Sequence, residues 1–248
     1  MTDLEFSARV IGLWNFRDPA VSQTRFAEAA GAEPDPAYRQ SLLTQMARAQ
    51  GLQEKYDDGH ATLDSLGDPA ELADEPGVRS LLERGRLYNS SGAPETAIPL
   101  FERAYERAAA AGLAGLATDA AHMLAIALPK EQHEEWAERG MAIAENSKDP
   151  LAIRMRAALL NNLGWTYADG GRWADALVLF ERAVDARRET GDGYTYHVAR
   201  WTRARALRAL GRHEEALAEL RELAATEEGA DDHYVAEEIA ENEKALAS

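Results

Sequence analysis

Two stretches of the chain carry the same spaced set of six residues, and this internal repetition constrains the fold more than any other feature. In both stretches the order is Leu, Gly, Tyr, Ala, Phe and Ala, with successive spacings of four, three, nine, four and three positions. The two copies are Leu81, Gly85, Tyr88, Ala97, Phe101 and Ala104, and Leu160, Gly164, Tyr167, Ala176, Phe180 and Ala183. Such repetition is typical of stacked structural units that bury their apolar faces against one another.

Each unit has the pattern of two helices joined by a short turn. In the fourth unit, Leu160, Leu163 and Tyr167 lie on one helical stripe. A glycine pair at positions 170 and 171 then ends that helix, because glycine tolerates the left-handed backbone. The residue that opens each second helix recurs at spacings of 41, 40, 39 and 40 positions, at Tyr56, Ala97, Ala137, Ala176 and Ala216. Five helical hairpins are therefore predicted, with no β-strand.

The repeated residues are interpreted as packing positions. Gly164 and Ala176 are small, so two antiparallel helices can approach closely there. Tyr167 and Phe180 are large and fill the space beside that contact. Because one hairpin cannot bury both of its faces, neighbouring hairpins are expected to stack.

The two ends of the chain depart from the repeat. Asp18 and Pro19 open a helix that is predicted to be a degenerate half-repeat, and residues 1–16 are apolar enough to pack on the first helices. Residues 231–247 have the pattern of a polar amphipathic capping helix. The predicted organisation is a single solenoid over 1–248, with a half-repeat or cap at 1–36, five units at 37–228 and an acidic capping helix at 229–248.

Composition and charge argue against several classes of partner. The formal net charge is -16, and residues 213–248 hold twelve acidic residues against Arg221 and Lys244. Such an acidic chain is a poor general binder of nucleic acid, whose phosphates need lysine and arginine. No apolar run approaches the roughly 18 residues of a membrane span, and the first residues lack a basic leader. The absence of cysteine fits a reducing compartment, so a cytoplasmic location is expected.

The sequence contains no recognisable catalytic, metal or cofactor motif. His133 and His213 each precede two glutamates, but neither run extends to the two-histidine zinc motif. A phosphate loop, a nucleophile elbow and a dinucleotide fingerprint are also missing from the sequence. The chain is therefore predicted to be non-catalytic, with no metal and no cofactor.

The spaced residues resemble the tetratricopeptide repeat family over roughly residues 37–228. The run from Leu160 to Tyr167 is the most specific match, whereas Arg203, Ala204 and His60 depart from the family pattern. Units longer than the usual repeat resemble the kinesin-light-chain-like subgroup and many bacterial repeat proteins. The resemblance implies an all-α, right-handed α-solenoid of antiparallel helix hairpins. It also implies a concave groove, lined by the first helix of each hairpin, that binds peptides or partner helices.

Projecting that groove onto this sequence yields candidate binding residues. They are Arg79, Arg86, Asn89, His122, Ile126, Asn161, Asn162, Trp165, Trp201, Arg205 and Arg208. Trp165 and Trp201 lie off the predicted packing stripe, and exposed Trp and Arg are enriched in binding surfaces. A basic, aromatic groove in an acidic chain favours an acidic or carboxylate-bearing ligand. In the alternative interpretation, the tryptophans fill gaps between helices, the arginines pair with nearby glutamates, and Asn162 is satisfied by water.

Three functions follow from these patterns. The leading hypothesis is a non-catalytic scaffold that binds a peptide or protein segment in the concave groove. The second hypothesis is a self-associating structural module, in which the flanks or the acidic tail mediate homo-oligomers. A sensor or regulatory subunit with a small-molecule pocket is the third, because function belongs to sites rather than to folds.

Overall fold

The structure, a computed structural model, describes residues 2–190 and 193–247. Over these ranges it contains thirteen α-helices, one short 3-10 helix (Lys130–Gln132) and no β-strand, which confirms the predicted all-α class. The helices are α1 (Asp3–Leu13), α2 (Pro19–Ala32), α3 (Pro36–Gly51), α4 (Tyr56–Asp64), α5 (Asp74–Ser90), α6 (Pro94–Ala110), α7 (Ala114–Ala127), α8 (His133–Glu145), α9 (Pro150–Asp169), α10 (Trp173–Thr190), α11 (Gly193–Ala209), α12 (His213–Ala224) and α13 (His233–Leu246). None of these helices is long and apolar enough to cross a membrane.

The helices from α3 to α12 form the five predicted hairpins, and α13 follows them as a single helix. The chain divides into two compact units, Met1–Met155 and Arg156–Ser248. In the first unit α2 packs on α3, α3 on α5 and α6 on α7, and in the second α10 packs on α11 and α12 on α13. Each unit is therefore a stack of α-solenoid hairpins, and the single solenoid over 1–248 stays a prediction.

Local chemistry explains where several helices begin and end. The carboxylates of Asp18 and Asp35 each accept two backbone N–H groups from the first turn of α2 and α3, and a proline follows each of them. Asp18 therefore begins α2 as its sequence predicts. Gly92 and Gly171 lie in the turns of the second and fourth hairpins with φ of 88° and 76°, a conformation that side chains with a Cβ disfavour.

Two glycines allow the two helices of their hairpins to approach each other closely. A Cβ added at Gly85 would lie 2.4 Å from Cε1 of Phe101, and one added at Gly164 would lie 2.4 Å from Cε1 of Phe180. Both phenylalanine rings are fully buried. The small residue on the first helix thus leaves room for the ring of the second helix, which confirms the packing interpretation at these positions.

The first helix of the chain, α1, is not predicted by the sequence pattern. Phe6 and Val10 of α1 are buried in one cluster with Phe26 of α2 and Leu42 of α3. The expectation that residues 1–16 pack on the first helices is confirmed by these contacts. The helical form of α1 starts at Thr2, whose side chain and Glu5 make a capping box.

Substitution of Gly85 tests the close contact within a hairpin. We expect Gly85→Ala to lower the free energy of unfolding by about 1–3 kcal/mol, because the new methyl group overlaps the buried Phe101 ring. This loss should exceed the roughly 0.5–1 kcal/mol that alanine gains over glycine in a helix. Urea unfolding followed by circular dichroism measures the difference.

Gly31→Ala provides the matched control, since a Cβ at Gly31 meets no atom within 4 Å. That variant should be as stable as the wild type or more stable. An unfolding midpoint for Gly85→Ala at or above that of the wild type would contradict the packing interpretation.

Candidate functional site

The candidate binding residues all lie on the first helices of their hairpins. Arg79, Arg86 and Asn89 belong to α5, and His122 and Ile126 belong to α7. The other six lie on α9 and α11, namely Asn161, Asn162, Trp165, Trp201, Arg205 and Arg208. Because the two compact units are described separately, the first five residues and the last six form two sets. Their role in binding stays a prediction.

In the first unit, Arg86 is held inside a network of buried polar groups. Its guanidinium donates to Glu83 Oε1 at 2.8 Å and to Asp119 Oδ1 at 2.5 Å. The Gln45 amide donates to the same Glu83 oxygen at 3.0 Å. Arg48 lies with its Nε 4.0 Å from the other Glu83 oxygen. Two arginines therefore face two carboxylates, and α3, α5 and α7 are joined side by side.

The charges of this network stabilise one another. Burial alone would raise the pKa of Asp119, but the Arg86 and Arg48 guanidinium groups hold that pKa below its usual range. Burial would lower the pKa of Arg86, and the two carboxylates outweigh it and raise that pKa. Burial lowers the pKa of Arg48, and the neighbouring Arg86 cation adds to this effect. Arg86 is therefore already matched by internal carboxylates.

Arg79 is also engaged inside the protein. It is buried and donates to Glu75 Oε1 at 2.9 Å, one turn earlier in α5. The Phe6 ring of α1 lies 5.9 Å from its guanidinium carbon. Asn89 and His122 are half-buried, and Ile126 is exposed near the end of α7. In the first unit, Arg86 is thus paired with Glu83 and Asp119, whereas Arg79 is paired with Glu75.

In the second unit, Arg205 and Arg208 converge on one carboxylate. Arg205 Nη1 bonds to Glu238 Oε1, and Arg208 donates to both oxygens of Glu238 at 2.6 and 3.0 Å. Glu238 is a buried residue of α13, whereas the two arginine side chains keep 37% and 28% of their surface exposed. The partner carboxylate comes from the capping helix, and its identity was not apparent from the sequence.

The two predicted tryptophans have both core and surface contacts. The Trp165 ring lies 5.4 Å from the Phe180 ring and 6.3 Å from Trp173, at the edge of a buried cluster. Trp201 Nε1 donates to the Tyr234 carbonyl at 3.2 Å, and the two rings meet edge to face at 6.0 Å. The expectation that packing does not claim these residues is therefore only partly right, since each ring fills part of a core and keeps part of its surface.

The paired asparagines lie on α9 beside Trp165. Asn161 Nδ2 is 3.5 Å from Asn162 Oδ1, and the Asn162 carbonyl accepts the Thr166 hydroxyl at 3.1 Å. Both asparagines are half-buried. Their amide groups lie on a first helix, as the resemblance implies.

An apolar stripe on α11 was missed by the sequence analysis. Tyr194, Val198 and Trp201 are four and three positions apart, so they share one face of α11. Tyr194 is 51% exposed and Val198 is 39% exposed, and Tyr234 of α13 extends the stripe with 56% exposure. In the sequence, these apolar residues recur at helical spacing in the fifth unit, at positions that do not belong to the repeated packing set.

A metal-binding cluster is absent from the described part of the chain, and one open cavity lies away from the candidate residues. No group of three or more acidic or histidine side chains in the described ranges could hold a metal ion. An open cavity of about 600 Å³ is lined by Ala70, Leu81, Arg103, Glu106 and Arg107, and it includes none of the candidate residues.

Comparison with known proteins identifies the repeat. Residues 155–228 match the family model described as "Tetratricopeptide repeat". The predicted resemblance is therefore confirmed over residues 155–228. This range includes the run from Leu160 to Tyr167 in the fourth hairpin, which is the most specific match, and the fifth hairpin, in which Arg203 and Ala204 depart from the family pattern. A search of curated proteins finds no match to this sequence.

Solved structures share the fold along most of the chain. BtubC (BKLC) from P. vanneervenii is 16% identical with a TM-score of 0.60, and the alignment covers 100% of this chain and 92% of that one. A putative kinesin light chain from Podosopora anserina with nearly identical TPR-like repeats is 19% identical with a TM-score of 0.53, covering 78% and 96%. A signal transduction ATPase from Pyrococcus horikoshii with a tetratricopeptide repeat sensor is 12% identical with a TM-score of 0.67, covering 94% and 34%. At these identities the likeness concerns the fold alone.

Acid should weaken the first unit through Asp119. Because its folded-state pKa is depressed, Asp119 contributes its full stability above its ordinary pKa of about 3.9, and this contribution is lost as the pH falls through the folded-state value. We expect Asp119→Asn to lower the free energy of unfolding by about 3 kcal/mol near neutral pH, since it breaks a buried ion pair. Urea unfolding from about pH 7 to about pH 3 should show the wild type converging on the variant.

Asp185→Asn is the control for this experiment, because Asp185 forms an exposed ion pair with Arg188. It should leave the stability nearly unchanged at every pH. A difference between the wild type and Asp119→Asn that stays constant down to acid pH would contradict the assigned ion pair.

Proposed function

We propose that this tetratricopeptide-repeat chain is a non-catalytic, cytoplasmic scaffold that binds an acidic segment of another protein on the first helices of the Arg156–Ser248 unit. A role as a protein-interaction scaffold accords with the repeat family and with the fold. We assign the binding site within that scaffold to α11 and to the residues that surround Trp201. It includes Asn161, Asn162 and Trp165 of α9 as further contacts.

The exposed stripe on α11 is the observation that carries this proposal. Val198 and Trp201 follow one another along the helix, with Tyr234 beside Trp201. One side of the Trp201 ring packs against the buried cluster of Ala204, Leu220 and Leu223, so Trp201 is half-buried while Val198 and Tyr234 are exposed. An aromatic surface next to arginines has the composition of a protein-binding site, since Trp, Tyr and Arg dominate binding energy at interfaces.

The arginines beside the stripe supply the preference for an acidic segment. Arg205 and Arg208 share the single Glu238 carboxylate, and the charges of Glu237 and Glu241 also act on Arg208. Each guanidinium has five N–H donors, and the bonds to Glu238 use only one in Arg205 and two in Arg208. A partner carboxylate can therefore approach the exposed side of Arg205 and complete the coordination that Glu238 begins.

The first unit offers fewer groups for the same role. Arg79 and Arg86 are matched by Glu75, Glu83 and Asp119 within the protein, so they have little charge to offer a ligand. Asn89, His122 and Ile126 remain candidate contacts there. The proposed acidic segment is assigned to the second unit for this reason.

A displayed peptide library tests the proposal with the full-length chain. The wild type should enrich peptides that contain Asp or Glu near an apolar residue. For an enriched peptide, Trp201→Ala and Arg205→Ala should each raise the dissociation constant by about tenfold or more, the loss expected of an anchor residue. Fluorescence anisotropy measures the dissociation constants, and circular dichroism checks that each variant is folded.

Two control variants separate a binding role from a structural one. Arg221→Ala removes an arginine that pairs with Glu243 of α13, and Trp136→Ala removes a half-buried tryptophan of α8. Both should bind the peptide as the wild type does. Equal loss in all four variants would reject the site, and a dimer in light scattering that needs Trp201 would favour self-association instead.

A further inference from the structure

The first hairpin has the shortest second helix of the five hairpins. Its α4 spans 9 residues, whereas α6, the second helix of the next hairpin, spans 17. The two helices can be aligned, because Tyr56 of α4 corresponds to Ala97 of α6 at the repeat spacing of 41 positions. Counted from these two residues, α4 ends at Asp64, and α6 continues five positions further to Ala110. The first hairpin therefore lacks more than one helical turn that the second hairpin has.

The sequence explains why α4 ends early. Residues 65–69 correspond to the last turn of α6, and they include Gly67 and Pro69. Gly67 has a φ of 90°, which an α-helix does not allow, and Pro69 lacks the N–H group that a helix interior needs. Residues 65–73 therefore form a loop that connects α4 to α5.

The open cavity of about 600 Å³ lies beside this loop. It is lined by Ala70 of the loop, by Leu81 of α5, and by Arg103, Glu106 and Arg107 of α6. Glu106 and Arg107 belong to the part of α6 that extends beyond the end of α4 in the alignment. The early end of α4 thus leaves a space between α5, α6 and the loop. Its volume is within the range of small-molecule sites, about 300–1,000 Å³.

Arg107 holds the loop against α6. Its guanidinium donates to the Pro69 carbonyl at 2.6 Å, to the Leu72 carbonyl at 2.7 Å and to Asp74 Oδ1 at 3.0 Å. Because these bonds fix the loop, the wall of the cavity is formed before any ligand arrives, which lowers the entropic cost of binding. Arg107 is therefore a structural part of the wall rather than a cation that is available to a ligand.

The groups that remain for a ligand are an apolar surface and two opposite charges. Leu81 supplies the apolar surface, and it is otherwise buried. Arg103 and Glu106 are exposed, and within the described ranges neither side chain forms an ion pair or a hydrogen bond. They are three positions apart in α6, so their Cβ atoms lie about 5–6 Å from each other on one face of the helix. A cation and an anion thus stand next to each other beside an apolar surface.

We propose that this cavity binds a small zwitterion with an apolar side group, namely a leucine-like amino acid or a short peptide of such residues. Arg103 binds the carboxylate of the ligand, Glu106 accepts its ammonium group, and Leu81 contacts its apolar side group. A ligand with only a negative charge is repelled by Glu106, and one with only a positive charge is repelled by Arg103. The site belongs to the Met1–Met155 unit and goes beyond the protein-binding site proposed on α11, so either proposal can fail without the other.

Isothermal titration calorimetry of the full-length chain tests the assignment with L-leucine and dileucine as probes. We expect at least one of these zwitterions to bind, and the tighter of the two identifies a free amino acid or a short peptide as the preferred ligand. The probe 4-methylpentanoate lacks the ammonium group of leucine, and 3-methylbutylamine lacks its carboxylate, so each should bind at least about tenfold more weakly. Absence of binding by both zwitterions up to about 10 mM would overturn the proposal. Equally tight binding of either single-charge probe would overturn it as well.

Substitutions on α6 test whether the cavity is the place of binding. Arg103→Ala and Glu106→Gln should each raise the dissociation constant of the tighter zwitterion by about tenfold, because each removes one charge-assisted contact. Arg25→Ala of α2 and Glu102→Gln of α6 are the matched controls, since both residues are exposed and lie outside the cavity. Both control variants should bind as the wild type does. Equal affinity in all four variants would overturn the assigned site.

Ala70→Trp is a further variant that leaves both charges in place. Ala70 is exposed on the loop, so this chain should fold, which circular dichroism checks, and the added indole ring should block the cavity and abolish binding. Trp201→Ala, which removes the anchor proposed for α11, should bind the zwitterion as the wild type does. Binding that persists in Ala70→Trp, or that is lost in a folded Trp201→Ala chain, would assign the ligand to another place and overturn the proposal.

Discussion

The contact between a glycine of one helix and a phenylalanine ring of the next is the constraint on which the rest of this structure depends. At Gly85 and Gly164 a methyl group would overlap the buried ring by a wide margin, so the two helices of the second hairpin and those of the fourth lie at a distance that only glycine allows. Because the ring fills that space, these two hairpins have a defined shape on which a neighbouring hairpin can stack. The first helices are thereby aligned, and their remaining faces become available for polar and aromatic groups.

Those remaining faces differ between the two compact units for electrostatic reasons. In the first unit Arg86 is matched by two buried carboxylates, Glu83 and Asp119, and the network joins adjacent first helices. In the second unit Arg205 and Arg208 share the one carboxylate of Glu238, and both arginines keep exposed surface. The same residue type is therefore matched by two buried carboxylates in one unit, whereas in the other two arginines share one carboxylate and keep exposed surface.

Much of the fold could be predicted because the packing of a hairpin depends on the spacing of apolar and small residues that are close in sequence. Offsets of three and four positions place Leu160, Leu163 and Tyr167 on one face of a helix, and the turn glycine ends it. The helical form of α1 and the exposed stripe through Val198 were not predicted. Neither feature recurs along the chain, so the repeat spacing that identified the hairpins gives no information about either of them.

The sequence by itself determined the all-α class, the five hairpins, the beginning of α2 and the small and large packing positions, since all of these depend on residues close in sequence or related by the repeat. Only the tertiary structure decided which arginines are matched internally, because Glu238 lies 30 positions or more from Arg205 and Arg208. It also decided that α1 lies against Arg79 and Asp149, a contact between residues 142 positions apart. No periodic pattern encodes such pairings, because they arise where separate helices meet in space.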